Sequence, residues 1–177
     1  MALLQSEKNA MEKGSVCPEF ALPNIDGTTV SSKDFLGKPF AVIFMCNHCP
    51  YVIPKMEEIA DLQKDFTIIG ISANNATEYP ADSFENMKQL GEEKGFTYYL
   101  YDETQDVAKT FGAVCTPDVF VFDAKGELAY HGRINDAMNL DDTPTEHTLK
   151  LVLETLSKGE SIEDWFKPSH GCSIKWK

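Results

Sequence analysis

The residues that could carry chemistry stand in one short segment, Cys46-Asn47-His48-Cys49, directly after an apolar run at residues 40–46. A thiol–disulfide exchanger needs two cysteines close enough to bond and a first thiolate that is stable near neutral pH. Apolar residues recur at helical spacing after the segment, so the cysteine pair is predicted at a turn from a buried strand into a helix. The segment therefore predicts redox chemistry.

The position of the pair also suggests a role for each residue. If Cys46 starts the helix, free backbone amides and the helix dipole stabilise its thiolate, and a protonated His48 favours that thiolate further. Pro50 fits an early helical position, where a missing amide hydrogen costs little. We therefore expect Cys46 to be the exposed nucleophile and Cys49 the buried resolving thiol.

The cysteine pair has other interpretations besides redox chemistry. The pair could be buried core residues, or it could hold zinc with two ligands drawn from His131, His170 or Cys172. A metal-binding or metallochaperone module that uses the two thiolates with His131 stays open as a third hypothesis. Covalent haem is excluded, because Pro50 follows the second cysteine where that motif needs histidine. No cofactor and no resident metal are predicted.

The remaining cysteines complete an odd, unevenly spaced set of five, which is not typical of a secreted disulfide framework. Cys17 is interpreted as structural. Cys115, two residues before Pro117, is either a small buried hydrophobe or a partner in an alternative disulfide. Cys172 lies in a polar C-terminal segment, where it either helps to anchor the tail or acts as a second resolving thiol.

Composition limits the classes of partner. The formal net charge is −12 and Arg133 is the only arginine, so no basic surface is available for nucleic acid or anionic lipid. The longest apolar run is far shorter than the roughly 20 residues that span a bilayer. The first residues lack the basic and then apolar pattern of a secretory signal. We expect a cytoplasmic protein that binds neither nucleic acid nor membrane.

The chain reads as a single domain over residues 1–177, with strands and helices in alternation. We expect an irregular tail from about residue 160. The predicted elements are a hairpin at 16–30, strands at 40–46, 66–72 and 96–101, helices at 83–94, 104–111 and about 145–157, and a second hairpin at 118–132.

Three features together resemble the thioredoxin superfamily: the strand–CxxC–helix unit, Pro54 eight residues after Cys46, and the Thr116-Pro117 pair that opens a hairpin. The resemblance implies an α/β thioredoxin-like fold, a central mixed sheet flanked by helices, with Thr116-Pro117 in cis against the cysteines. The opening "VCPEFALPNIDG", the insert after the second strand and the ending "SHGCSIKWK" resemble the redoxin branch, the AhpC/TSA family, and its peroxiredoxin-like proteins with a CxxC.

The resemblance implies a thiol–disulfide oxidoreductase that acts on protein or small-molecule disulfides and is recycled by an external thiol reductant. The alternative is a peroxiredoxin-like peroxide reductase that uses Cys46 as the attacking thiolate. Ile43 stands where the resemblance places the peroxidase threonine, and no arginine lies near Thr116 and Pro117 in the sequence. Arg133 could reach the site from a loop.

Overall fold

A computed structural model describes residues 2–177. Four α-helices are present in this part of the chain: α1 (Met56–Leu62), α2 (Phe84–Lys94), α3 (Asp106–Phe111) and α4 (Thr148–Ser157). The strands are β1 (Leu3–Gln5), β2 (Ala21–Pro23), β3 (Thr29–Ser31), β4 (Phe40–Phe44), β5 (Thr67–Ser72), β6 (Tyr99–Tyr101), β7 (Cys115–Thr116), β8 (Asp118–Phe122), β9 (Leu128–Gly132), β10 (Phe166–Lys167) and β11 (His170–Ser173).

The central sheet is mixed and has the strand order β10-β9-β8-β4-β5-β6. Strand β4 pairs in parallel with β5 and antiparallel with β8, so it lies in the interior of the sheet. All five of its residues are buried, as expected for a continuous apolar run that has protein on both faces. The end of β4 therefore places Cys46 at the edge of a rigid core.

Apolar side chains form one cluster on each face of this sheet. The first cluster packs β4 against α1, α2 and α4 and includes Cys46, Cys49 and Cys172. The second includes Phe44, Phe111 and Phe120, whose rings meet edge to face with centroids 5.2 to 5.9 Å apart. Helices and loops thus cover both faces, which is the layering that the alternation of elements predicted.

The predicted helices are present, with adjusted ends. Ser83 caps α2 by accepting from the Asn86 amide, and Gly95 ends it in the left-handed region with φ 69°. Helix α4 begins at Thr148 rather than near residue 145, because the Thr145 and Glu146 amides donate to the Asp136 carboxylate instead. No helix among residues 2–177 is both long and apolar enough to cross a bilayer.

The C-terminal segment differs from the irregular tail expected from its sequence. It forms β10, which pairs with β9, and β11, which lies between β1 and β7 in a small second sheet. The sequence pattern could not show this, because strands of two to four residues carry too few side chains for a periodicity to appear. The small sheet brings both ends of the described chain to Thr116.

The N-terminal hairpin is confirmed, with β2 and β3 in antiparallel register around a turn that contains Gly27 at φ 87°. The insert between β5 and β6 holds α2 and a short 3-10 helix, Pro80–Asp82. That short helix places one buried carboxylate, Asp82, against the loop that follows β4.

Candidate functional site

The cysteine segment lies in the loop after β4, and the helical turn starts later than its sequence suggested. The first helical hydrogen bonds run from the Val52 and Ile53 amides to the Cys49 carbonyl, at 2.9 and 3.0 Å. Cys46 therefore stands three residues before the helical turn, rather than at its start. The expected stabilisation of a Cys46 thiolate by helix-start amides is not supported by this geometry.

Burial also differs from the expectation for Cys46. Its side chain is 1% exposed, and Cys49 is fully buried. The prediction that Cys46 is exposed was therefore wrong, because Thr116 and the Asp82 segment cover the loop. A buried Cys49 agrees with the prediction.

Both sulfurs meet the segment that opens β8. The Thr116–Pro117 peptide bond is cis, as predicted. The Cys46 Sγ lies 3.7 Å from Thr116 Oγ1, and the Cys49 thiol donates to the Thr116 carbonyl at 3.2 Å. One residue thus contacts both sulfurs of the pair, one through its side chain and one through its backbone.

His48 faces a carboxylate that the sequence analysis did not identify. Its Nδ1 lies 2.6 Å from Asp82 Oδ2, outside hydrogen-bonding angles, and its ring stacks on Tyr79 with centroids 5.6 Å apart. Asp82 also accepts from the Asn47 amide and from Asn74 Nδ2, both at 2.8 Å. Asp82 lies 36 positions after Cys46 in a polar insert, so no local motif connects the two.

Asn47 links the loop to the central sheet. Its side-chain carbonyl accepts from the Tyr99 hydroxyl at 2.8 Å, and burial raises the pKa of Tyr99 well above its ordinary value. A neutral phenol can donate this hydrogen bond, so the arrangement holds over the whole neutral range. Tyr99 and Asp82 together fix the backbone between the two cysteines.

The two thiols share a proton unequally. The Cys46 thiol hydrogen-bonds to Cys49, and that bond, with further ones from Thr116 and Cys172, lowers the pKa of Cys49 to about 5. The same thiol–thiol bond, together with burial and the Asp82 carboxylate, raises the pKa of Cys46. The coupling between the two thiols therefore favours a negative charge on Cys49 over one on Cys46.

Cys172 lies next to the pair. Its strand, β11, runs antiparallel to β7 with Cys172 opposite Thr116, and Cys172 shares the apolar cluster of Cys46 and Cys49. Cys115 is opposite Ser173 in the same register, one position along, and its thiol donates to the Pro117 carbonyl at 3.8 Å. Burial raises the pKa of Cys115 far above its ordinary value.

Arg133 does not complete a peroxide site in this structure. Its guanidinium contacts Glu146 at 3.1 Å and Thr148 Oγ1 at 3.2 Å, near the start of α4. The expectation that this loop arginine could reach the thiols is therefore not met. Hydrogen bonds to Thr148, Lys167 and Arg133 lower the pKa of Glu146 to about 2, so Glu146 is charged at neutral pH. Its carboxylate holds the Arg133 guanidinium near the start of α4.

His131 is also engaged elsewhere. Its Nε2 lies 2.9 Å from Asp118 Oδ1, both side chains are fully buried, and the imidazole stacks on Phe120 with centroids 4.1 Å apart. The structure therefore does not bring His131 to the thiolates, as the metal hypothesis requires. In the described part of the chain, the groups that could hold a cation are Cys46, His48 and Asp82, whose ligand atoms lie within 4.8 Å of one another.

A CxxC pair after a central strand, packed against a Thr–cis-Pro segment, defines a redox protein of thioredoxin-like fold, and the predicted fold is confirmed. The sequence profile of the AhpC/TSA family matches residues 14–131, and the chain belongs to that family. The AhpC/TSA resemblance stated from the sequence is thereby confirmed as well.

Relatives come from two functional groups. Thiol-disulfide oxidoreductase ResA of Bacillus cereus is 27% identical over 128 residues, which cover 70% of each chain. Peroxiredoxin Bcp of Escherichia coli K12 is 25% identical over 179 residues, covering 95% of this chain and 96% of Bcp. A crystal structure of an uncharacterized conserved protein from Geobacillus kaustophilus is 38% identical, with a TM-score of 0.93 over 100% of this chain and 97% of that one.

Proposed function

We propose that this protein is a thiol–disulfide oxidoreductase whose working couple is the Cys46–Cys49 dithiol and disulfide. The observation that carries the proposal is the contact of Thr116 with both sulfurs of the Cys46–Cys49 pair. A thiol pair in which one member ionises near neutral pH is the chemical requirement for exchange. The relationship to ResA supports the same reaction.

Cys46 is proposed as the attacking sulfur even though the resting charge is on Cys49. Cys46 lies beside the partly exposed His48, whereas Cys49 is enclosed by the Thr116 carbonyl and Cys172. As Cys46 attacks a substrate disulfide, its proton passes to the Cys49 thiolate along their hydrogen bond. The Cys46–substrate bond forms, the substrate S–S bond breaks, and the distal substrate sulfur leaves as a thiolate.

The second step closes the internal disulfide. The departing thiolate, or water, takes the proton from Cys49, and Cys49 attacks Cys46 in the mixed disulfide. The Cys46–Cys49 bond forms and the remaining substrate sulfur leaves as the second thiolate. The substrate has gained two electrons, and an external dithiol restores the reduced pair. The low pKa of Cys49 favours this step, because its thiolate reforms readily.

His48 and Asp82 are proposed to move charge between the two sulfurs. The Asp82 carboxylate disfavours a Cys46 thiolate, and a positive charge on the His48 ring, 2.6 Å from that carboxylate, would offset this effect. Strand β4 cannot supply such a group, because residues 40–45 hold no ionisable side chain.

Peroxide reduction is the second candidate, favoured by the AhpC/TSA family and by the Bcp relationship along 95% of the chain. A fast peroxidase orients the peroxide with a hydroxyl and a guanidinium beside the thiolate. Thr116 supplies a hydroxyl 3.7 Å from Cys46, but Arg133 is paired with Glu146. Disulfide exchange therefore ranks first.

The setting that we propose is a single domain over residues 1–177 in a reducing compartment, the cytoplasm. The pairing of β11 with β1 and β7 supports one domain, since it joins the ends to the body of the fold. The odd, uneven set of cysteines supports the compartment. The proposed partners are protein or small-molecule disulfides and a thiol reductant. Limited proteolysis tests the single domain, and cell fractionation tests the compartment.

Trapping of a mixed disulfide tests the proposed function. The Cys49→Ser variant is incubated with a disulfide-bonded peptide, and the adduct is mapped by mass spectrometry. We expect a stable peptide–Cys46 disulfide and no adduct on Cys17, which serves as an internal control because it lies in the other apolar cluster. An adduct on Cys49 in Cys46→Ser, with none on Cys46 in Cys49→Ser, would reverse the roles of the two thiols.

A further inference from the structure

A third thiol, Cys172, lies close to Cys49 in the same buried cluster. Strand β11 is held against β7 with Cys172 opposite Thr116, the residue whose carbonyl accepts from the Cys49 thiol. Cys172 is buried in the same apolar cluster as Cys46 and Cys49. The amide and thiol of Cys172 both help to lower the pKa of Cys49, which requires them to lie next to its sulfur. Cys49 is therefore between two possible sulfur partners.

The approach of β11 to Thr116 is close and depends on Gly171. A Cβ at Gly171 would lie 1.8 Å from the Thr116 carbonyl oxygen and 2.5 Å from its carbon, which no side chain can do. Ser169 adds a further bond from its hydroxyl to the Pro117 carbonyl at 2.6 Å. The backbone before Cys172 is thus fixed to the cis-Pro segment, and the thiol is held near Cys49 by the fold.

We propose that Cys172 is a second resolving thiol, which takes over the disulfide from Cys46 and forms a Cys49–Cys172 bond inside the protein. The Cys172 sulfur attacks Cys49 Sγ in the Cys46–Cys49 disulfide, the Cys46–Cys49 bond breaks, and the electron pair leaves on Cys46. The Cys172 proton ends on Cys46, so the step requires no further oxidant. This relay rests on the proposed function, which supplies the first disulfide.

The relay gives the three sulfurs different roles. After the relay, Cys46 is again a free thiol beside His48, while the oxidising equivalent is stored next to Thr116 between two buried sulfurs. Burial raises the pKa of Cys172 to about 12, so the relay is slower than attack by Cys49.

The test uses the full chain with Cys46→Ser, which leaves four of the five cysteines. The reduced variant is treated with diamide, which takes two electrons and two protons from a thiol pair. We expect loss of two thiols and a mapped Cys49–Cys172 disulfide. Cys46→Ser/Cys172→Ser should give at least about tenfold less intramolecular disulfide, whereas the matched control Cys46→Ser/Cys115→Ser should behave like the parent variant.

Retention of all four thiols by Cys46→Ser, or a disulfide from Cys49 to Cys115, would overturn the proposal. Gly171→Ala in the Cys46→Ser background gives a second test, because displacement of β11 should slow Cys49–Cys172 bond formation without removing a sulfur. An unchanged rate there would also contradict it. Wild-type turnover is assayed in parallel, so a failed relay beside normal turnover leaves the proposed function intact, and absent turnover counts against that function alone.

Discussion

Two histidine–aspartate pairs contact the core near the cis-Pro segment, and they differ in access to water and in the hydrogen bonding of their carboxylates. His48 and Asp82 are beside the thiols, with the histidine 22% exposed and the carboxylate bonded to Asn47 and Asn74. His131 and Asp118 are fully buried, and Asp118 Oδ2 and His131 Nδ1 have no hydrogen-bond partner. The first pair is open to solvent through its histidine, whereas the second is suited to a structural role.

Both pairs contain the same residue types, so the effect of a titratable group on the sulfurs depends on its position. The Asp82 carboxylate raises the pKa of Cys46, and its partner His48 is next to that thiol. Asp118 instead raises the pKa of Cys115, after the larger effect of burial. Substitutions that remove each pair separately therefore test whether the two pairs have different roles.

The largest expected effect comes from the thiol that both candidate reactions use. Cys46→Ser should lower turnover of a protein disulfide by about 1,000-fold or more, because no other sulfur beside His48 can attack the substrate. The measurement is a coupled assay with an excess of dithiol reductant. Cys17→Ser is the matched control and should retain wild-type turnover. Activity in Cys46→Ser above one tenth of wild type would remove Cys46 from the mechanism.

The next effect is on stability, at the buried pair. His131→Phe keeps an aromatic ring against Phe120 but leaves the Asp118 carboxyl without its partner. We expect a loss in the free energy of unfolding of about 3 to 5 kcal/mol, measured by urea denaturation. Turnover per folded molecule should stay within about twofold of wild type. A large loss of turnover at unchanged stability would instead give this pair a catalytic role.

The pH dependence of the thiolate provides a third test. Ultraviolet absorbance of the reduced protein should rise as one thiolate forms with a midpoint near pH 5, the value to which the pKa of Cys49 is lowered. Cys49→Ser should abolish this rise, because the remaining Cys46 is raised in pKa by burial and by Asp82. A midpoint near the ordinary thiol value in the wild type would contradict the shared-proton arrangement.

The lowered pKa of Cys49 also makes the stability of the reduced protein depend on pH. The pKa of Cys49 is lower in the folded chain than the ordinary 9.0, so its contribution is fully present above pH 9.0 and is lost as the pH falls through about 5. The raised pKa of Cys46 opposes this gain only at alkaline pH, where the unfolded chain loses that proton. Reduced wild type should therefore lose more stability than Cys49→Ser between pH 9.0 and 5.

A smaller effect is expected at the first pair. Asp82→Asn keeps an acceptor for the Asn47 amide but removes the charge that disfavours a Cys46 thiolate. In the Cys49→Ser background it should speed alkylation of Cys46 by about tenfold, the equivalent of one pKa unit. His48→Asn, which leaves the carboxylate uncompensated, should change the rate in the opposite direction. Equal rates in all three proteins would show that this pair does not act on Cys46.

Much of the fold could be predicted, because strongly apolar strands such as β4 and a capped helix such as α2 carry their signal locally. The cysteine pair and the cis peptide were predictable from motifs for the same reason. Asp82 was not predictable, since its contact with the loop depends on a chain reversal of many residues. A resolving role for Cys172 was one of two interpretations from sequence, but its position opposite Thr116 was not predictable, because β11 is too short for a pattern.

Stopped-flow oxidation of the reduced full chain tests the central claim most directly, with a protein disulfide and hydrogen peroxide compared by the loss of thiolate absorbance. We expect ready exchange with the disulfide and slow oxidation by peroxide. The rate of peroxide oxidation should be within roughly 10- to 100-fold of that of an ordinary low-pKa thiol. Arg133→Lys should change neither rate beyond about twofold, because the guanidinium is paired with Glu146. Peroxide oxidation near the diffusional ceiling, lost in Arg133→Lys, would contradict the account.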